Sequence, residues 1–379
     1  MNQCLGQLDT PYYVIDRGLL ADNLSILDSV QKRTGCKILM ALKGYAVWST
    51  FDQISEVLYG CAVSSLHEAR LSQEYFKRHT TLYAPAYRST DIEHYIDIVD
   101  HIVFNSFSQW HKYKDMISAS NKPIQCALRI NPECSQVKTR LYDPSAPYSR
   151  LGIRAQDFNN KDLTGITGLH FHNLCELNAD ALEQTLAAVE KKFGHLLKQM
   201  QWVNFGGGHH ITGSDYDIDL LCTLISEFQN KYQVQVLLEP GTAVVLNTGF
   251  LVSTVLDIVH NNIDIAILDT SAAAHMPDVL EMPYRPEIIN ADKPQKKQYT
   301  YRLTGSTCLA GDIIGDYSFA EPLEPGQRLV FKDMAHYTIV KNTMFNGINL
   351  PDIVIYDSRN NTHVIQRHFN YDDFKTRLS

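Results

Sequence analysis

The chain has 379 residues, 44% of them hydrophobic and 20% charged, with a net charge of −8. That length suggests two domains, one large enough to be a barrel, and the acidic balance argues against nucleic acid or an anionic membrane as main partner. No apolar stretch approaches the roughly 18–20 residues needed to span a bilayer, and Met1–Thr10 lacks the basic start and apolar run of a secretion signal. The eight cysteines, Cys4, Cys36, Cys61, Cys126, Cys134, Cys175, Cys222 and Cys308, are scattered with no Cys-x-x-Cys pair. Such spacing suits reduced thiols better than disulfides or a zinc site, so a cytoplasmic protein without a metal centre is expected.

Pro11–Asp16 reads as a short strand, followed by a helix with Leu19, Leu20, Leu24, Leu27 and Val30 on one face. The compact apolar run Lys37–Leu42 then ends at Lys43. Further short strands are predicted at Gly60–Ser64, Thr81–Ala84, His101–Asn105, Gln125–Asn131, Gly168–His172, Gln201–Phe205 and Gln235–Glu239. Amphipathic helices are predicted between them at Ser65–Lys77, Ser108–Ser118, Ala179–Gln199 and Ile218–Tyr232. Eight such βα-like units predict a parallel (β/α)₈ barrel over residues 17–248, with a doubly wound open sheet as the alternative. Functional residues then belong at the C-terminal ends of the strands, where Lys43, His172, Gly206–Gly208 and Glu239 fall. Beyond the barrel, Phe250–Val259, Ile263–Leu268, Tyr299–Thr304 and Arg328–Lys332 read as strands separated by Gly, Pro and Asn-Asn turns. They predict a second, mostly β domain made of residues 1–16 plus 249–379.

Three glycines, Gly206–Gly208, close the apolar run that ends at Phe205. Residues without Cβ let backbone N–H groups crowd an anion, usually a phosphate, although glycine turns also end strands for structural reasons. A lysine at a barrel mouth, such as Lys43, can be partly desolvated, which lowers its pKa and frees the amine for imine formation. A solvated lysine at a strand end is the plain alternative. The order of the motifs narrows the choice. Lys43, His170-Phe171-His172, Gly206-Gly207-Gly208, Glu239-Pro240-Gly241, Cys308 and Phe331-x-Asp333-Met334-x-x-Tyr337 together resemble the fold-type III pyridoxal-phosphate decarboxylases. These alanine-racemase-like enzymes act on diaminopimelate, arginine, ornithine and related substrates. The resemblance runs from Thr10 to Tyr356 and is greatest to the members that act on carboxylated polyamines.

The resemblance implies that Lys43 holds pyridoxal 5′-phosphate covalently, that His172 stacks on its ring, and that Gly206–Gly208 and Gly241 cradle its phosphate. It also implies an obligate homodimer, in which Cys308 protonates the carbanion, and Tyr337 meets the phosphate, in the site of the other subunit. Glu239 has a physical argument of its own: a carboxylate beside the pyridine nitrogen keeps it protonated, and a pyridinium drains electrons from the carbanion left when CO₂ departs. Taken singly, Glu239 could be an acid before a Pro-Gly turn, His172 a core histidine and Cys308 a structural thiol.

The departures are informative too. Asn173-Leu174-Cys175-Glu176 follows His172 where many relatives carry a phosphate-binding serine, and Thr242 stands where many carry Arg. Phosphate binding is therefore expected to rest on backbone N–H groups. Leu309 replaces the acid often found after the cysteine, leaving Asp312 nearby. Asp278-Val279-Leu280-Glu281 ends in an acid where diaminopimelate decarboxylases tend to carry an Arg for the distal carboxylate. Glu281 would repel such a group and attract an ammonium. Glu176, Glu281 and Asp312 are accordingly candidates to line a pocket for a cationic tail, and Arg150 to lie near the cofactor and substrate. A solvated acid and a salt-bridging arginine are the competing readings of Glu281 and Arg150. The expected activity is decarboxylation of a polyamine-like small molecule. Another amino acid such as diaminopimelate, or a catalytically silent homologue that only binds a partner, are the alternatives; retention of Lys43 and Cys308 opposes the silent one.

Overall fold

The computed structural model describes residues 5–158 and 161–379, so Cys4 lies outside the described residues. The chain divides into two compact units, Asn23–Val244 and Met1–Asp22 with Val245–Ser379. The first strand, β1 (Tyr12–Asp16), belongs to the discontinuous unit. The continuous unit holds β2 (Lys37–Ala41), β3 (Gly60–Val63), β4 (His79–Tyr83), β5 (His101–Phe104), β6 (Gln125–Asn131), β7 (Ile153–Arg154), β8 (Ile166–His170), β9 (Trp202–Asn204) and β10 (Gln235–Leu238).

Eight of these strands form a closed parallel barrel in the order β2-β3-β4-β5-β6-β8-β9-β10, with β7 a two-residue appendage on β6. Closure comes from pairing the last strand with the first, Leu237 with Lys37 and Leu238 with Ile38. The strands are buried almost throughout, as expected when helices cover the outside and side chains fill the inside. Leu39, Val103, Ala127, Trp202 and Leu237, from five different strands, meet in one cluster. The open-sheet alternative is therefore excluded. The helix Ala179–Leu197 shows how the outer layer forms: Asn178 caps its first N–H, and Leu182, Leu186, Val189, Phe193 and Leu197 are buried along one stripe.

One helical expectation changes in detail, and one helix is added. The helix expected over Ser65–Lys77 is α-helical only for Leu66–Leu71 and widens into a π turn over Ser72–Phe76. Buried Ser72 there bonds the Thr80 hydroxyl, anchoring the turn to β4. A helix over Ser89–Ile98, with Ile92, Tyr95 and Ile96 buried, was not among the sequence expectations.

The other unit adds β11 (Gly249–Asn261), β12 (Ile263–Leu268), β13 (Tyr299–Thr304), β14 (Ile313–Phe319), β15 (Arg328–Lys332), β16 (Asp352–Asp357) and β17 (Thr362–Arg367). Their order is β14-β13-β12-β11-β1-β16-β17, with β15 also on β11. The first half of the long strand β11 pairs with β1 and β15, and its second half with β12 beyond an irregularity at Val255–Asp257. Alternate residues of β1 serve two cores: Tyr13 joins Leu251, Tyr317 and Phe331, whereas Tyr12 and Val14 join Val252 and Val354.

Packing inside the barrel is tight enough to test. A Cβ on Gly168 would lie 2.3 Å from the Trp202 indole, which is stacked on His101 at 4.2 Å. Gly168→Ala is expected to cost about 1–3 kcal/mol by overpacking, measured by urea unfolding. Gly6→Ala, where nothing lies within 4 Å, is the control and should stay within about 1 kcal/mol of wild type.

Candidate active site

The strand ends of the barrel bring Lys43, His172, Gly206–Gly208 and Glu239 into one neighbourhood. Glu239, the residue after β10, is only 7% exposed. Its Oε1 accepts from Asn204 Nδ2 at 2.6 Å and its Oε2 lies 3.3 Å from His170 Nε2. Burial pushes its pKa up, but His170, Asn204 and Lys43 outweigh that and hold it below the ordinary glutamate value. The carboxylate is an anion.

His170 is kept neutral by burial in spite of Glu239, and its Nδ1 is buried without a hydrogen-bond partner. Its proton therefore belongs on Nε2, where it donates to Glu239. One face of the ring carries Tyr83, stacked at 5.3 Å, and Tyr83 in turn lies under the Arg129 guanidinium at 4.6 Å. Arg129, buried on β6, donates to the carbonyl of His172 at 3.2 Å.

His172 accepts from the N–H of Gly207 through Nδ1 at 3.1 Å. Burial, followed by the charges of Lys43 and Arg129, drives its pKa well below 6.5. The ring is therefore neutral with its proton on Nε2. Ligating atoms of His170, His172 and Glu239 all lie within 4.8 Å of one another, which gives the scale of the convergence.

Lys43, two residues past β2, reaches solvent yet stands close to Glu239, Arg129 and Glu68. Enclosure by protein lowers its pKa, with Glu239 opposing the shift. The amine is thus easier to deprotonate than a surface lysine's. Glu68, whose carboxylate accepts from Ser64 N–H at 2.6 Å, is raised by burial and restrained by that N–H and by Lys43.

The glycine turn works differently from the expected cradle of N–H groups. Gly206 N–H donates to Asn204 Oδ1 at 2.8 Å and Gly207 N–H to His172 Nδ1. Both N–H groups have partners inside the protein. Space and conformation are what demand glycine: Gly206 and Gly208 have φ of +74° and +82°, and Cβ atoms there would lie 2.4 Å and 2.0 Å from the carbonyls of Phe171 and Leu174. Gly241 packs against Gly44, where a Cβ would lie 3.2 Å from the Gly241 Cα.

Glu176, at φ +52°, is exposed and accepts from Thr242 Oγ1 at 3.3 Å. Arg150 is exposed as well, its carbonyl held by Asn105 and its charge within range of Tyr83 and Arg129.

The remaining candidates belong to the other unit. Cys308 is exposed, and its N–H donates to Asn346 Oδ1 at 2.7 Å. Asp312 is buried, with Oδ2 accepting from Ser271 Oγ at 2.8 Å and Thr307 Oγ1 at 2.6 Å, and Oδ1 from Ala273 N–H at 3.1 Å. It fastens the loop that carries Cys308. Glu281 and Asp278 share the ammonium of Lys341, which offsets only part of the negative charge expected to draw a cationic tail. Tyr337 sits at φ +49°, a conformation that costs a bulky residue about 1–3 kcal/mol.

The tautomer of His172 can be checked directly. With its pKa held well below 6.5, ¹⁵N NMR of the protein without added ligand should show a neutral Nε2–H ring from about pH 6 to about pH 8. A ring that titrates within that window would contradict the geometry.

A family model described as pyridoxal-dependent decarboxylase, C-terminal sheet domain, matches residues 12–335. A carboxynorspermidine/carboxyspermidine decarboxylase from Campylobacter jejuni is 45% identical over 382 residues, spanning 98% of this chain and 99% of the relative. A carboxyaminopropylagmatine decarboxylase from Synechocystis is 44% identical, spanning 100% of this chain and 97% of its own. The crystal structure of the Campylobacter jejuni carboxynorspermidine decarboxylase complexed with norspermidine superposes with a TM-score of 0.91 at 44% identity, over 98% of this chain and 100% of that one. Diaminopimelate decarboxylase from Helicobacter pylori shares the fold, with a TM-score of 0.86 at 15% identity over 99% and 98% of the two chains. With a buried carboxylate, a low-pKa lysine and a neutral histidine gathered at the strand ends, and with likeness along its whole length, the chain belongs to the pyridoxal-dependent decarboxylases.

Proposed function

We propose that the enzyme is a pyridoxal-phosphate-dependent carboxy-lyase that converts carboxynorspermidine or carboxyspermidine to norspermidine or spermidine. The observation that carries this reading is the 45% identity, over 98% of this chain, to a relative of that activity. The residues fit the cofactor. A lysine with a lowered pKa suits an aldehyde, a buried anionic carboxylate suits a protonated ring nitrogen, and two glycines whose Cβ atoms would strike backbone leave a backbone-walled turn for a phosphate.

When bound, the cofactor supplies an electron-withdrawing pyridinium that accepts the electron pair released as CO₂ leaves. Lys43 is the residue that would hold it. Glu239 keeps a proton on the ring nitrogen, and it can do so because His170 and Asn204 keep the carboxylate ionised. His172, neutral and fixed by Gly207, presents a flat uncharged ring without adding positive charge. Cys308 would deliver the proton that replaces CO₂, and the exposed Glu176 would meet a cationic tail. We further infer a homodimer in which Cys308 and Tyr337 serve the site of a second copy of the chain. The seven described cysteines are all free, which supports a reducing, cytoplasmic setting, and among the described residues no helix is long and apolar enough to cross a membrane.

The Synechocystis relative favours a second reading, in which the tail ends in a guanidinium rather than an ammonium. Release of CO₂ from carboxynorspermidine, carboxyspermidine, carboxyaminopropylagmatine and diaminopimelate separates these readings. Turnover of a carboxylated polyamine is expected, with loss of at least about a hundredfold in Lys43→Ala. Efficient use of diaminopimelate alone, or full activity in Lys43→Ala, would overturn the reading. Mixing Lys43→Ala chains with Cys308→Ala chains should restore activity if sites are shared, and failure to do so would count against the shared dimer.

A further inference from the structure

We propose that Asn204 is a positioning residue that ties the Glu239 carboxylate to the glycine turn, so that one amide sets both the charge of that carboxylate and the path of Gly206–Gly208. The inference rests on the cofactor reading above and is independent of which polyamine is the substrate.

Asn204 is the last residue of β9 and is completely buried. Its orientation is dictated by its neighbours. The N–H of Gly206, 2.8 Å away, can only donate, so the oxygen of the amide must face it. The nitrogen then faces Glu239 Oε1 at 2.6 Å. A planar amide offers a donor and an acceptor on one rigid group, and both ends are used.

Register adds a second, independent reason. His170 and Asn204 are Cα partners across β8 and β9, and Asn204 is in turn paired with Leu237 on β10. Neighbouring strands thus present one N–H donor to each oxygen of the same carboxylate, His170 to Oε2 and Asn204 to Oε1. The backbone closes the loop, since Glu239 N–H donates to the carbonyl of Gly206 at 2.7 Å. Gly206 is therefore held by Asn204 on its N–H side and by Glu239 on its carbonyl side. Loss of the amide would free both the turn and the carboxylate at once.

Asparagine also matters by what it is not. An aspartate in its place has the same shape, and while protonated it could still donate to Glu239 and accept from Gly206. Once ionised it would set two carboxylates against each other in a buried site. The other charged or titratable groups that face Glu239 are His170, Lys43, Arg129, His209 and Tyr83, and they are unchanged by the substitution.

The test is the dissociation constant of pyridoxal phosphate, titrated by absorbance into apoenzyme from about pH 6 to about pH 9. Wild type, Asn204→Asp and Asn204→Leu are compared, with the melting temperature of each apoenzyme recorded beside it. For Asn204→Asp, affinity should be close to wild type at the acid end and fall at least about tenfold relative to it toward the alkaline end. For Asn204→Leu it should be at least about tenfold weaker at every pH. A merely structural role would lower the melting temperature without adding an ionisation to cofactor binding. If Asn204→Asp tracks the wild-type profile throughout, or Asn204→Leu binds as wild type does, the proposal is wrong. Should Asn204→Leu fail to fold, Asn204→Asp decides alone. Wild-type apoenzyme that takes up no cofactor would instead refute the cofactor reading on which the inference rests.

Discussion

A carboxylate that stays ionised inside a protein has to be given back the hydrogen bonds it loses from water. Glu239 meets that requirement with Asn204 on one oxygen and His170 on the other, and much of the site is shaped by the need to hold those two donors. His170 is backed by Tyr83, Tyr83 by Arg129, and Arg129 reaches the carbonyl of His172. His172 takes the N–H of Gly207, and Asn204 takes that of Gly206. The glycine turn, the two histidines and the acid are one connected hydrogen-bonded and stacked structure, and Lys43 stands beside it.

This connection explains why a chain with so ordinary a composition can carry acid–base chemistry at neutral pH. Three histidines in this part of the barrel, His170, His172 and His209, all have lowered pKa values, each chiefly through burial. They add polarity without adding positive charge. Glu239 keeps its charge chiefly through His170, with Asn204 and Lys43 adding to the effect. In the sheet unit, Asp312 shows the same economy of donors, gathering Ser271, Thr307 and Ala273 to hold the loop of Cys308.

The barrel was legible because each of its strands is a short apolar run capped by a polar or glycine residue, a rhythm with few other solutions. Lys43, His172, Gly206–Gly208 and Glu239 were legible for the same reason, since a parallel barrel gathers its functional side chains just past the C-terminal ends of its strands. Arg129, Tyr83 and Asn204 were not. They lie in strands of mostly apolar sequence, where period and composition cannot distinguish a functional polar residue from a structural one. An asparagine next to three glycines was a usable signal for Asn204, as a residue able to cap a turn. In the sheet unit, β14 was missed because Gly315 and Asp316 interrupt it, and β16 and β17 because they lie beyond the last recognised motif. Asp312 and Glu281 are acids whose partners the sequence does not show, and only coordinates reveal Thr307 and Ser271 on the one and Lys341 on the other.

Glu239→Gln gives the most direct test of the central claim, because it keeps the shape of the side chain and removes only its charge. Reconstituted with pyridoxal phosphate, this variant should still be trapped on Lys43 by borohydride reduction, while CO₂ release falls at least about a hundredfold. Turnover equal to wild type with a glutamine at position 239 would mean that the buried anion is not what drives the chemistry.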